Sequence, residues 1–117
     1  MRADEARIRV RVRGPRGRQL PIDAVIDTGF NGWLTLPPAL VASLGLSWQT
    51  FIRAVMADGR EDTFNVYEAK VLWDRRRRSV PVTQADSDLL VGMPLLEGSE
   101  VNLRVHEHGL VTIKRLA

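Results

Sequence analysis

"AVIDTGFNGWLTLPP", residues 24–38, decides how the whole chain reads. Val25 and Ile26 run straight into Asp27-Thr28-Gly29, and apolar residues resume at Phe30. A carboxylate at the end of an apolar strand is costly to bury unless it is paired or neutralised. Taken alone, the triplet is a turn, because Asp and Gly favour turns and an Asp side chain can accept nearby backbone N–H groups. The flanks ask for more, since a plain turn usually has polar neighbours and this one is apolar on both sides. A second carboxyl group would explain the site. Two such groups at contact distance cannot both ionise, so they share a proton. One then acts as base and the other as acid toward a water held between them. Thr28 offers a hydroxyl to brace such a loop. Gly29 permits a positive φ and the close approach of another backbone.

The sequence holds no second Asp-Thr-Gly or Asp-Ser-Gly. "ADSDLL", 85–90, carries Asp86 and Asp88 without a glycine turn of that form, and these are most simply loop residues before a strand. The missing carboxylate is therefore expected from another copy of the chain, across a two-fold axis.

With 117 residues, the chain has the length of one domain, residues 1–117, and can bury a core without disulfides. There is no cysteine, which excludes disulfides, thiol chemistry and Cys-based zinc sites. The longest apolar run, "LLVGMPLL" at 89–96, is too short for a membrane span and contains Gly and Pro. "MRADEARIRV" has no apolar signal core, so the expected location is the cytoplasm. The net charge of +3 is carried mostly by arginine, in "RIRVRVRGPRGR" at 7–18 and "DRRRR" at 74–78. Arg7, Arg9, Arg11 and Arg13 alternate with Ile8, Val10 and Val12, the pattern of a strand with one wet and one buried face. Asp74 to Arg78 reads as a solvated hairpin loop. The basic balance also admits a third functional reading, a nucleic-acid-binding β domain using the arginine strand, and the composition supports nothing more specific.

The apolar period is two almost throughout. Strands are expected at 6–13, 20–27, 33–36, 50–56, 63–73, 79–84, 89–91, 101–107 and 110–115. "GPRG" at 14–17, the Asp58-Gly59 pair in "ADGR" at 57–60 and "HEHG" at 106–109 supply turns. "PPALVASLGL" predicts a short helix with Pro38 in its first turn, Gly45 at its end and Leu40, Val41 and Leu44 toward the core. "MPLLEG" predicts a shorter one, with Pro94 near its start and Gly98 past its end. Val25–Gly29 and Leu89–Gly92 echo each other, each an apolar strand entering a glycine loop, as in a chain of two similar halves. Trp33, Trp48, Trp73 and Tyr67 are expected in core or dimer packing. Asp58 is expected in turn chemistry, with substrate selection as its second reading. His106 and His108 read as an exposed turn rather than metal ligands, and no metal or cofactor is called for.

With these residues in view, the chain resembles the retropepsin-type (clan AA) aspartic proteases, and more closely the small single-domain bacterial and archaeal members with an Asp-Thr-Gly-Phe motif. "AVIDTGFNGWLTLP", then "MADGRED" in the place of the flap, then "DLLVGMPLLEG" in the place of the apolar-apolar-Gly loop carry the resemblance, which covers about residues 6–115. It implies a mainly β, closed or partly open barrel that works as a homodimer. It implies Asp27 as the catalytic aspartate, Thr28 bonding across the axis, and Gly29 accepting substrate backbone. Met56, Ala57, Asp58 and Gly59 would form the flap tip over an extended peptide, Gly92 would pack behind the catalytic loop, and the terminal strands would interleave with the partner's. Phe30 stands where viral enzymes have a small cleft-lining residue, and Asn31 and Gly32 replace acidic residues that contact substrate. The leading expectation is a homodimeric aspartic endopeptidase. The alternative is a dimeric peptide-binding or scaffold module on the same fold, with chemistry weak or lost.

Overall fold

The computed structural model describes residues 6–27, 29–55, 58–86, 89–97, 99–103 and 111–115. The chain is mainly β, with nine strands and two short helices among these residues. In order they are β1 (Arg7–Arg13), β2 (Gln19–Ile26), β3 (Leu34–Leu36), α1 (Pro38–Leu44), β4 (Ser47–Val55), β5 (Glu61–Trp73), β6 (Arg76–Gln84), β7 (Leu90–Val91), α2 (Met93–Leu96), β8 (Ser99–Leu103) and β9 (Val111–Arg115). No helix among the described residues is long and apolar enough to cross a membrane.

Seven strands form one mixed sheet in the order β1-β2-β7-β3-β6-β5-β4. An extra pairing of β1 with β5 brings the sheet back on itself. The thirteen-residue β5 makes this possible. Its first half pairs with β4, from Glu61↔Val55 to Glu68↔Ser47, and its second half pairs on that same edge with β1 through Lys70↔Arg13 and Leu72↔Arg11. The β4–β5 hairpin therefore projects from the closed part of the sheet. β8 and β9 form a separate antiparallel pair, and Ile113 packs against the main core. Both β1 and β9, expected to interleave with a partner, find strand partners within their own chain.

The core follows the period-two pattern. Val10 and Val12 of β1, Ile22 and Ala24 of β2, Val71 and Trp73 of β5, and Val80 and Val82 of β6 are buried together with Leu34 and Leu36 of β3. Each such aliphatic side chain contributes roughly 1.5–3 kcal/mol by leaving water. Helix α1 covers one end with Val41 and Leu44 buried and Leu40 half-buried. It stops where Gly45 turns left-handed at φ 63°.

Two expectations change. Arg76, Arg77 and Arg78 belong to β6 rather than to a loop. Asp74 and Arg75 both take positive φ, 48° and 65°, the backbone of a two-residue hairpin turn, so Trp73 already faces Arg76. Charge alone did not open the hairpin, because Arg77 points outward while the half-buried Arg78 finds partners described below. Trp48 is 55% exposed, so of its two expected roles core packing is excluded, while a place in dimer packing is untouched by a single chain; its Nε1 donates to Asn65 Oδ1 at 3.1 Å. Trp73 and Tyr67 pack as expected, the first buried and the second against the core. Strand ends within the described residues shift by at most three residues, β4 beginning earlier at Ser47, and the expected end of 101–107 lies outside the described residues. Helix α2 ends on Glu97 as its cap. Gly98, Asp88, and His106 to Gly109 lie outside the described residues.

Leu34→Ala empties a fully buried position between β7 and β6. Urea unfolding should show a loss of about 2–5 kcal/mol.

Candidate functional site

The site begins where β2 stops. β2 and β7 run parallel with Val25↔Leu90 and Ile26↔Val91, so the two echoing segments lie side by side. Val25 N–H donates to Leu89 O at 2.7 Å, and Asp27 N–H to Val91 O at 2.9 Å. Asp27 is the first residue beyond the strand. Phe30 N–H returns to Asp27 O at 3.2 Å, closing a tight turn over 27–30. The half-buried Asp27 side chain accepts Gly29 N–H on Oδ1 at 2.9 Å. That bond orients the carboxylate against its own loop. A Cβ on Gly29 would meet Asp27 Oδ1 at 3.4 Å, an ordinary contact, so space within this chain does not demand glycine there. Thr28 lies outside the described residues.

Gly92 holds the loop from behind. Its N–H donates to Trp33 O at 3.0 Å, and Met93 N–H donates to Phe30 O at 3.3 Å. A Cβ on Gly92 would run into the carbonyl oxygen of Gly32 and lie 2.7 Å from that of Phe30. A Cβ on Gly32 would strike the Phe30 ring. The aromatic side chain at position 30 thus folds over two glycines. Trp33 carries Arg78 over its face, 5.3 Å from the ring centroid, and Arg78 Nη1 donates to Leu95 O at 3.3 Å. The last arginine of the charge run therefore ties β6 to the loop and to α2.

Beside the loop lies a cleft of about 670 Å³. Gly29, Phe30, Asn31 and Gly32 form one side of it. Ile52 and Ala54 of β4, with Asp62 and Phe64 of β5, form the hairpin side. These four are cross-strand neighbours, Ile52↔Phe64 and Ala54↔Asp62, on one face of the hairpin. Leu90, Thr35, Thr83, Ala85 and Asp86 complete the lining. Asp27 is not itself a lining residue; Gly29, bonded to its carboxylate, is. The surface is mostly apolar with carboxylates at Asp62 and Asp86, the general make-up of a binding cleft. The exposed Asp86 thus does more than precede a strand.

The hairpin tip is partly described. Asp58 Oδ1 accepts Arg60 N–H at 3.0 Å and Gly59 has φ 85°, so Asp58 performs the turn chemistry expected of it. Arg60 lies between Asp58 and Asp62, at 4.0 and 3.6 Å. Met56 and Ala57 lie outside the described residues.

Thr35, Ile52, Ala54, Phe64 and Thr83 escaped sequence reasoning. For the hairpin residues the signal was available, because every second residue counted back from the Asp58-Gly59 turn shares a face. Thr35 is buried at 4% exposure and its Oγ1 accepts Leu90 N–H at 2.8 Å, a long-range bond that no local pattern announces.

Gly92→Ala should lower unfolding stability by about 1–3 kcal/mol, because the clash is with backbone. Thr35→Val should cost about 1–3 kcal/mol by leaving Leu90 N–H without its acceptor, with most of the loss recovered in Thr35→Ser. Both are read from urea melts against the parent protein. No protein-family model and no curated protein matches the chain, so the reading of this site rests on its motifs and their geometry.

Proposed function

We propose that this chain is a retropepsin-like aspartic endopeptidase that works as a homodimer. One observation carries the reading. The Asp-Thr-Gly loop, its carboxylate tied to Gly29 N–H and its back held by Gly92, adjoins a largely apolar cleft walled by the Asp58-Gly59 hairpin. The order of these parts along the chain supports it too, since it matches the resemblance in "AVIDTGFNGWLTLP", "MADGRED" and "DLLVGMPLLEG".

A single copy supplies one such aspartate. The two-fold partner supplies the other, and the pair holds one proton. The charged carboxylate takes a proton from the water between them as that water's oxygen attacks the scissile carbonyl carbon. The protonated carboxyl gives its proton to the carbonyl oxygen. The carboxyl group that took the water's proton then gives it to the amide nitrogen, the C–N bond breaks, and a hydroxyl of the tetrahedral diol returns its proton to the other carboxylate, so the pair again holds one proton. No covalent intermediate forms. Thr28 braces the paired loops across the axis. The substrate lies extended in the cleft, adding strand-like hydrogen bonds to Gly29, Asn31, Gly32 and the hairpin tip at 56–59. Phe30, Ile52 and Phe64 receive apolar side chains.

Asp27→Asn is the decisive variant. On a peptide that the parent protein cuts, kcat should fall by about 10³-fold or more. The parent should show a bell-shaped pH–rate profile, because only the singly protonated pair is active. Sedimentation should give twice the 13.2 kDa chain mass. Full cleavage by Asp27→Asn, or a strictly monomeric active protein, overturns the proposal.

A further inference from the structure

A second hollow, of about 290 Å³, opens where β1, β5 and β6 lie side by side. Arg11, Arg13, Lys70 and Arg77 line it, with Gln19 and Leu72. None of its described lining residues is acidic. The strand register builds the cluster, since Arg13 faces Lys70, Arg11 faces Leu72, and Leu72 faces Arg77. Lys70 Nζ is anchored on Ser79 Oγ at 2.6 Å. Arg9, next along β1, is already paired with Asp23 at 3.1 Å and stands outside the hollow. The nearest carboxylate on the same face of β5, Glu68, lines a neighbouring hollow with Ser79 and Pro81. Among the described lining residues four cations thus converge with no acidic side chain, on a chain whose net charge is only +3.

We propose that this groove is an anion-binding exosite for an acidic stretch of polypeptide. Two features select that occupant. Arg11 and Arg13 stand two residues apart, about 7 Å along the strand, the repeat at which an extended chain presents carboxylates on one side. The groove also shares strands with the cleft. Phe64 in the cleft and Lys70 in the groove lie on the same face of β5, as Thr83 and Arg77 do on β6. Six residues separate each pair, about 20 Å. The choice of a polypeptide rests on the peptidase reading of the cleft, and it makes the substrate class a protein with an acidic segment about 20 Å along the strands from the part that occupies the cleft wall at Phe64 and Thr83. A single-stranded nucleic acid fits less well, because the only large apolar side chain facing out of the groove is Leu72, and such ligands stack on aromatic rings.

The test is binding, not turnover. A fluorescein-labelled oligoglutamate peptide is titrated by anisotropy against the Asp27→Asn protein at low salt. The expected result is saturable binding that weakens with added salt and falls about tenfold in Arg11→Gln/Arg77→Gln. Arg53→Gln/Arg60→Gln, on the projecting hairpin, removes the same two charges away from the groove and should bind as the parent does. No binding at low salt, an equal loss in Arg53→Gln/Arg60→Gln, or preference for a single-stranded oligothymidylate over oligoglutamate overturns the exosite. Circular dichroism of each variant separates lost binding from lost fold. Failure here leaves the peptidase proposal to its own test, and cleavage retained by Asp27→Asn would leave the measured binding intact.

Discussion

Three backbone hydrogen bonds hold the centre of this molecule: Asp27 N–H to Val91 O, Gly92 N–H to Trp33 O, and Met93 N–H to Phe30 O. They stitch the loop after β2 to the loop after β7 at a separation that admits no side chain at position 92. Everything near the cleft inherits that spacing. The parallel pairing of β2 with β7 delivers Asp27 to the end of its strand, and the turn back through Phe30 places the ring over Gly32 and Gly92. Thr35 and Arg78 then fasten the flanks, one by accepting the Leu90 amide and the other by bridging Trp33 and α2. Packing around the aspartate is thus set mostly by backbone contacts, which tolerate small displacements poorly.

The other organising element is β5. Half of it belongs to the closed sheet and half to the projecting hairpin, so one strand joins core, cleft wall and basic groove. Its odd-numbered residues illustrate the change of role. Ala69, Val71 and Trp73 are buried, whereas Glu61, Thr63 and Asn65 on the same face are exposed.

Much of the architecture was legible in the sequence because its signals are local. Alternation of Ile8, Val10 and Val12 with arginine gives a strand with one buried and one wet face, Pro38 and Gly45 bracket α1, and Asp58-Gly59 marks the hairpin. Non-local facts were not legible. The return of β1 to β5 depends on distant registers that no window of sequence contains. The arginine run misled because charge usually signals a loop, while here a tight turn at Asp74-Arg75 lets Arg76–Arg78 pair and an indole face receives Arg78. At the site, the loop residues were found from their motif, whereas Thr35 was hidden because a buried hydroxyl looks like any strand threonine until its partner at Leu90 is known.

The hairpin carries one more consequence. β4 is the last strand of the sheet order, and Trp48, Phe51, Ile52 and Val55 along it are all exposed. An open row of amides flanked by apolar side chains is a template on which foreign strands grow. Arg53 is the one charged side chain in β4. The same projecting arm that walls the cleft therefore also offers an unpaired strand edge, the kind of feature on which added strands pair.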